Sequence, residues 1–214
     1  MWYDFFSLFY DRALEDLYRT AREQVVSELQ VTSGSIVLDI ACGTGQNFPL
    51  IQRSIGDGLI VGIDVSRGML NRARHRVRSE GWSNVTLCRK RAAEFSRDDL
   101  VSISGSEYAD FVICTLGLTV MDDWKQVLSH TLDLLKPGGR IVLFDAYIEE
   151  PVFRTRCANI FARADLSRKF WEPLEGKVDA FRLIQMSGSP KDFGGNLFLA
   201  SGVKSQVDIT TDEV

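Results

Sequence analysis

Apolar residues early in the chain recur at helical spacing, and then the pattern changes to short uninterrupted runs. From Arg12 to Gln30, Leu14, Leu17, Tyr18, Ala21, Val25 and Leu29 fall three or four residues apart, which predicts one amphipathic helix. An aromatic cluster of Trp2, Tyr3, Phe5, Phe6, Phe9 and Tyr10 precedes it. From Ser35 onward, β-branched or aromatic runs bounded by glycine or polar residues predict strands at Ile36–Ile40, Leu59–Asp64, Val85–Arg89, Phe111–Leu116 and Ile141–Asp145. Helical length and periodicity fill Gln46–Ile55, Arg67–Glu80 and Asp122–Lys136, and Pro137-Gly138-Gly139 closes the last of these. Strands alternating with helices predict a parallel sheet covered on both faces.

After Asp145 the rhythm breaks. Pro151–Trp171 reads as a further helix, and Ala180–Met186 and Asn196–Ser201 read as two strands with no helix between them. Their connection, Ser187–Gly195, is rich in glycine, serine and proline, so an antiparallel hairpin at one sheet edge is expected. No linker or repeat divides the chain. The expected organisation is one domain over 1–214, with an N-terminal helical cap or lid (1–30), an α/β core (31–204) and a polar tail (205–214).

Composition narrows the function. Lys plus Arg number 25 against 29 Asp plus Glu, a net charge of -4, which argues against a nucleic-acid partner. No run approaches the ~18 apolar residues of a spanning helix, and the N-terminus lacks a basic leader and carries Asp4 and Asp11, so a cytoplasmic protein is expected. The four cysteines show no C-x-x-C spacing and read as reduced and buried. With two histidines in the chain, neither a histidine triad nor a multi-histidine metal site is expected.

The candidate chemistry lies in Ile36-Val37-Leu38-Asp39-Ile40-Ala41-Cys42-Gly43-Thr44-Gly45-Gln46-Asn47. An apolar strand ends in an acid, a glycine-rich turn follows and a helix begins, which places backbone N–H groups at the carboxyl end of the strand. Phe48 stands where a dinucleotide fingerprint needs a third glycine or alanine, which disfavours a nicotinamide dehydrogenase. The next strand ends in Asp64, placed to accept ribose hydroxyls.

This turn resembles motif I of the Rossmann-like, class I S-adenosylmethionine-dependent methyltransferases. Val61-Gly62-Ile63-Asp64-Val65-Ser66 is similar to that family's second-strand motif, and Leu135-Lys136-Pro137-Gly138-Gly139-Arg140 to the signature before its fifth strand. The resemblance spans Ile36 to about Gly202. It implies a seven-stranded sheet with an antiparallel C-terminal hairpin, and S-adenosylmethionine as cofactor. It also implies that Asp39 orients the methionine end, that Ala41, Gly43 and Gly45 line the cofactor, and that Asp64 binds the ribose. Val65, Met69 and Ala92 would hold adenine, and Leu116 and Gly117 would flank the sulfonium. Ala41 replaces the family's first motif glycine. Arg91 stands where an acid usually holds the adenine amino group, leaving that work to the Ala92 N–H and stacking, or to Glu94.

For the methyl acceptor, a small or lipid-like molecule is expected, with an amine nitrogen the first choice. Ala164–Arg168, Trp171–Leu174 and Phe193–Gly202 resemble small bacterial methyltransferases that act on lipid amino head groups. A neutral amine needs no base, and Trp2, Tyr3, Tyr10 and Tyr147 are candidate ring faces for a cation, with Tyr10 and Tyr147 the candidate catalytic residues. The alternatives are O- or C-methylation of a quinone or phenol with Tyr147 or Asp145 as base, and a non-catalytic S-adenosylmethionine-binding module. The N-terminal aromatics leave a lid and a peripheral membrane contact both open.

Overall fold

The computed structural model describes residues 18–149, 164–186 and 196–206. Seven strands form one sheet: β1 (Ile36–Ile40), β2 (Leu59–Asp64), β3 (Val85–Arg89), β4 (Ala109–Thr115), β5 (Leu135–Tyr147), β6 (Val178–Met186) and β7 (Asn196–Lys204). Their order is β3-β2-β1-β4-β5-β7-β6. The first five pair in parallel, and β7 runs antiparallel to both β5 and β6. The expected α/β sheet with its C-terminal hairpin is present.

Period-two alternation sends successive strand residues to opposite faces. Val37, Ile60, Ile113, Val142 and Phe144 point to one side and pack against α1 (18–29), α2 (Phe48–Ile55) and α3 (Arg67–Ser79). Leu38, Val61, Val112, Ile141 and Leu143 point to the other, against α4 (Arg97–Ser104) and α5 (Trp124–Leu134). Both faces are dry, which is why these strands read as continuous apolar runs. The order reverses between β1 and β4, and the crevice outside their carboxyl ends is where open α/β sheets bind ligands.

Four expectations are corrected. The helix expected to reach Lys136 stops at Leu134, and Leu135 already pairs with Ala109 as the start of β5. Gly138 takes φ +75°, and a Cβ on Gly139 would lie 2.8 Å from the Asp110 carbonyl, so this turn serves the strand junction. Helix α4 had no counterpart in the periodicity, although its signal was present. The Asp99 N–H donates to Ser96 Oγ (3.2 Å) and the Ser96 N–H to Asp99 Oδ2 (2.7 Å), a capping box at its start. The helix expected over Pro151–Trp171 is not helical at 164–171, where Phe170 and Trp171 enter the core from turns ahead of α6 (Glu172–Glu175). Its earlier part, 150–163, lies outside the described residues, as do Trp2 to Tyr10, the rest of 1–17, the hairpin connection 187–195 and the tail from 207. The last strand runs three residues beyond Ser201.

Helix α1 is moored to the far edge of the sheet. Arg182 Nη1 donates to both oxygens of Glu28 (2.9 and 3.0 Å), Ser201 Oγ donates to the same carboxylate (2.9 Å), and Arg140 lies 3.8 Å away. No helix among the described residues is long and apolar enough to cross a membrane.

Candidate active site

A cavity of about 300 Å³ opens at the carboxyl ends of β1, β2 and β4. Its wall on the β1 side is the loop from Ala41 to Asn47. Gly43 holds φ +56°, and a Cβ there would have only the Ala41 carbonyl within 4 Å, so its bare backbone faces open space. Gly45 has a different task. A Cβ on it would lie 2.5 Å from the Phe48 ring, and Gly45 does not line the cavity. The glycine that sequence reasoning placed against a cofactor is thus required by the helix behind the loop.

Ala41 is left-handed at φ +53°, a conformation that strains a residue with a side chain. Its methyl fills space that Gly117 leaves, because a Cβ on Gly117 would lie 2.8 Å from Ala41 Cβ. Leu116 beside it is also left-handed, at φ +55°, and its N–H donates to the Phe144 carbonyl (2.7 Å). Two strained residues therefore meet where the β1 and β4 loops touch.

Asp64 sits at the rim. Its Oδ2 accepts from the Gly43 N–H (2.9 Å) and its Oδ1 from the Ser66 N–H (2.8 Å), which fixes the carboxylate against the glycine loop. Val65 is 54% exposed beside it, and Met69 and Ala92 supply apolar wall. Arg91 reaches across the mouth to Asp123 (2.8 Å) and lies 3.7 Å from Glu94, which is itself outside the lining. The opposite wall is apolar, made by Leu116, Gly117, Val120, Met121 and Val127. An anchored carboxylate, an apolar slot and a bare glycine backbone fit a nucleoside with a charged tail.

Asp39 lies below this surface and does not line the cavity. Asn47 Nδ2 donates to its two oxygens (3.1 and 3.0 Å) and approaches Thr115 Oγ1 (3.3 Å). Arg22 Nη1 in turn donates to Asn47 Oδ1 (2.7 Å) and Thr115 Oγ1 (2.9 Å), and Arg22 lines the cavity. Burial raises the Asp39 pKa to about 7, against the opposing pull of Asn47 and the Arg22 charge. Burial likewise pushes the Cys42 and Cys114 thiols well up, so both stay protonated and unreactive.

The candidate catalytic groups are elsewhere. Tyr147 packs edge-on against Trp171 (5.0 Å between ring centres) and Phe198 (6.0 Å), away from the cavity. Asp145 is buried, accepting from the Thr119 hydroxyl (2.8 Å), the Thr119 N–H (3.1 Å) and the Ala146 N–H (2.9 Å). Tyr10 lies outside the described residues. Arg168 turns inward to bond the Leu118 and Met121 carbonyls.

Of the expected cofactor residues, the structure gathers Ala41, Gly43, Asp64, Val65, Met69, Ala92, Leu116 and Gly117 around one cavity, with Asp39 beneath and Gly45 behind. Sequence reasoning missed Arg22, Asn47 and Thr115. Arg22 had a signal: it lies four residues after Tyr18 and three before Val25, a cation on the apolar face of its helix.

Residues 37–139 match the model of a methyltransferase-domain family. A protein named demethylmenaquinone methyltransferase from Shouchella clausii is 29% identical over 172 residues, covering 79% of this chain and 67% of its own length. Among solved structures, the N-methyltransferase NodS of Bradyrhizobium japonicum superposes with a TM-score of 0.67 at 18% identity, over 91% of this chain and 99% of that one. A Haemonchus contortus phosphoethanolamine N-methyltransferase, solved with S-adenosylhomocysteine, gives 0.72 at 16% identity, over 92% of this chain and 59% of its own. Motif order, sheet order, the cavity at the strand reversal and the family match converge: the chain is an enzyme of the class I, Rossmann-like S-adenosylmethionine-dependent methyltransferases.

Proposed function

We propose that the enzyme methylates a neutral ring acceptor of the quinol type rather than a cationic amine. The observation that carries this reading is the charge and character of the lining. Asp64, Asp122 and Asp123 are balanced by Arg22, Lys90 and Arg91, and no aromatic ring lines the cavity among the described residues. A site for a cationic amine is expected to supply excess negative charge or ring faces. Tyr147, which was to supply such a face, is spent on Trp171 and Phe198. The apolar wall of Val120, Met121 and Val127 suits a flat ring, and the Shouchella clausii relative carries the name of a quinone methyltransferase.

When bound, S-adenosylmethionine supplies a methyl group already activated by its sulfonium. The chain's part is then placement and exclusion of water. In the assignment offered here, Asp64 holds the ribose, Met69, Val65 and Ala92 the adenine, and Leu116 and Gly117 border the reacting end. Methyl transfer to a quinol releases one proton, that of the hydroxyl when an O–CH3 bond forms or that of the ring carbon when a C–CH3 bond forms. Neither Tyr147 nor Asp145 lines the cavity, and Asp122, beside Met121 in the lining, is the carboxylate we assign to receive it.

The test offers labelled S-adenosylmethionine with a demethylated naphthoquinol in one arm and an amine-bearing lipid in the other. Label in the quinol is expected, and label confined to the amine overturns the reading.

A further inference from the structure

The turn between β4 and α5 makes part of the cavity's apolar wall, yet it is poorly equipped to hold its own shape. Leu118–Val120 is a single 3₁₀ turn with long internal bonds: the Val120 N–H donates to the Gly117 carbonyl at 3.3 Å and the Met121 N–H to the Leu118 carbonyl at 3.4 Å. Such turns have poor hydrogen-bond geometry and take their conformation from their surroundings. What this one presents matters, because Val120 and Met121 line the cavity and Asp122 and Asp123 follow them in the lining.

Bracing comes from two directions. On the sheet side, Asp145 accepts from the N–H groups of Leu118 and Thr119. On the other side, the Asp165 N–H donates to the Thr119 carbonyl (2.8 Å), and Arg168 Nη1 donates to the carbonyls of Leu118 (3.1 Å) and Met121. One short stretch thus takes three carbonyls of the turn and the residue after it. That stretch is itself fixed: Asp165 accepts from Arg168 Nε (3.0 Å) and from the Ser167 hydroxyl (2.6 Å), the Ile148 N–H donates to the Leu166 carbonyl (2.8 Å), and Phe170 is fully buried just beyond.

Arg168 does not line the cavity, and its side chain is only 15% exposed. Withdrawing a guanidinium from water to bond neutral carbonyls is costly, and packing alone does not call for it. Its planar fork reaches two carbonyls and a carboxylate at once, which the point charge of a lysine cannot reproduce.

We propose that Arg168 is a positioning residue for methyl transfer, fixing the turn so that Val120 and Met121 form the wall against the acceptor ring and Asp122 stands where the acceptor's proton leaves. The identity of the acceptor and the part given to Asp122 rest on the function proposed above. The charge of Arg168 then serves the shape of the site rather than the recognition of a ligand.

The test compares Arg168→Gln and Arg168→Lys with Asn84→Ala. Asn84 makes a matched control at the opposite end of the sheet, where its Nδ2 braces a turn through the Gly58 carbonyl (2.8 Å) and lines no part of the cavity. Three quantities are read on the full chain: turnover with labelled S-adenosylmethionine and a demethylated naphthoquinol, calorimetric affinity for S-adenosylhomocysteine, and backbone hydrogen exchange over 118–122. Arg168→Gln is expected to lower kcat/KM for the acceptor about tenfold to a hundredfold, to keep S-adenosylhomocysteine within about twofold, and to speed exchange over 118–122. Arg168→Lys recovers part of the loss. Asn84→Ala lowers the melting temperature and changes neither acceptor turnover nor that exchange. Equal losses of acceptor kcat/KM and S-adenosylhomocysteine affinity, an acceptor loss of the same size in Asn84→Ala, or unchanged exchange over 118–122 each overturn the proposal. If Arg168→Gln proves unfolded by its melting curve, the same comparison is read from Arg168→Lys. Exchange needs no acceptor, so wild type that labels only an amine overturns the quinol reading alone and leaves Arg168 to be judged on that amine.

Discussion

The floor beneath the β1 loop and the pocket at the end of β5 each bury an aspartate, and burial raises both pKa values, Asp39 to about 7 and Asp145 to about 6. Their surroundings differ. Asp145 is held by a neighbouring N–H and by the Leu118–Val120 turn, mostly through backbone donors. Asp39 is held by Asn47, which is held by Arg22 and Thr115, so four separate stretches of chain meet there. A carboxylate pinned by backbone fastens a turn. One reached through side chains from elsewhere can report what happens in the cavity above it.

The widest test of this contrast is acidity. Both carboxyls keep their proton to a higher pH when folded than when unfolded, so the folded state binds more protons through this interval and stability falls as pH rises. The loss begins near the unfolded value of 3.8 and is complete by about pH 6 for Asp145 and about pH 7 for Asp39. Denaturant titrations should show a total decline on the order of 4 kcal/mol from Asp39, since each pKa unit is worth about 1.4 kcal/mol. Asp39→Asn should flatten the curve up to about pH 7, and Asp145→Asn only up to about pH 6. Identical curves for the two variants would erase the distinction.

Next in size, Asn47→Leu removes the donor to both Asp39 oxygens. It should cost about 3 kcal/mol at pH 8, where the carboxylate is charged and left unpaired, and less at pH 5, where it is protonated. An equal cost at both pH values would mean that Asn47 acts by packing alone. Smallest is Thr119→Val. It strips one hydroxyl from Asp145 and leaves the backbone N–H bonds, so about 1 kcal/mol is expected in the same titration, with little change in S-adenosylhomocysteine affinity. A loss matching that of Asn47→Leu would show that the β5 site also depends on side chains.

The two regions were unequally legible in the sequence. Ile36–Ile40 and Leu59–Asp64 could be read because strands dry on both faces leave unbroken apolar runs, and both bounds match. The glycine turn and Asp64 could be read because loop chemistry is local. Arg22 was not, since its partners Asn47 and Thr115 lie 25 and 93 residues away. Phe170 and Trp171 were apolar at helical spacing, yet they fill the core from turns, where periodicity carries no information. Gly45 shows a subtler failure. The motif placed it correctly, but the ring that demands it belongs to Phe48, the same residue that had set the turn apart from dinucleotide binders.

The mooring of α1 has a consequence for the order of assembly. The contacts between Glu28 and Arg182 or Ser201 join residues 154 and 173 positions apart, among the longest loops the chain can close. Such closures come late, because their entropy must be met before the contacts return anything. During synthesis the β1 strand and its glycine turn emerge early and α1 can pack on Val37 and Ile113, but the bonds from Glu28 to Arg182 and Ser201 wait for the final strands. The glycine turn can take shape on a growing chain; the clasp that fixes α1 across the sheet is completed only when nearly all of the protein has been made.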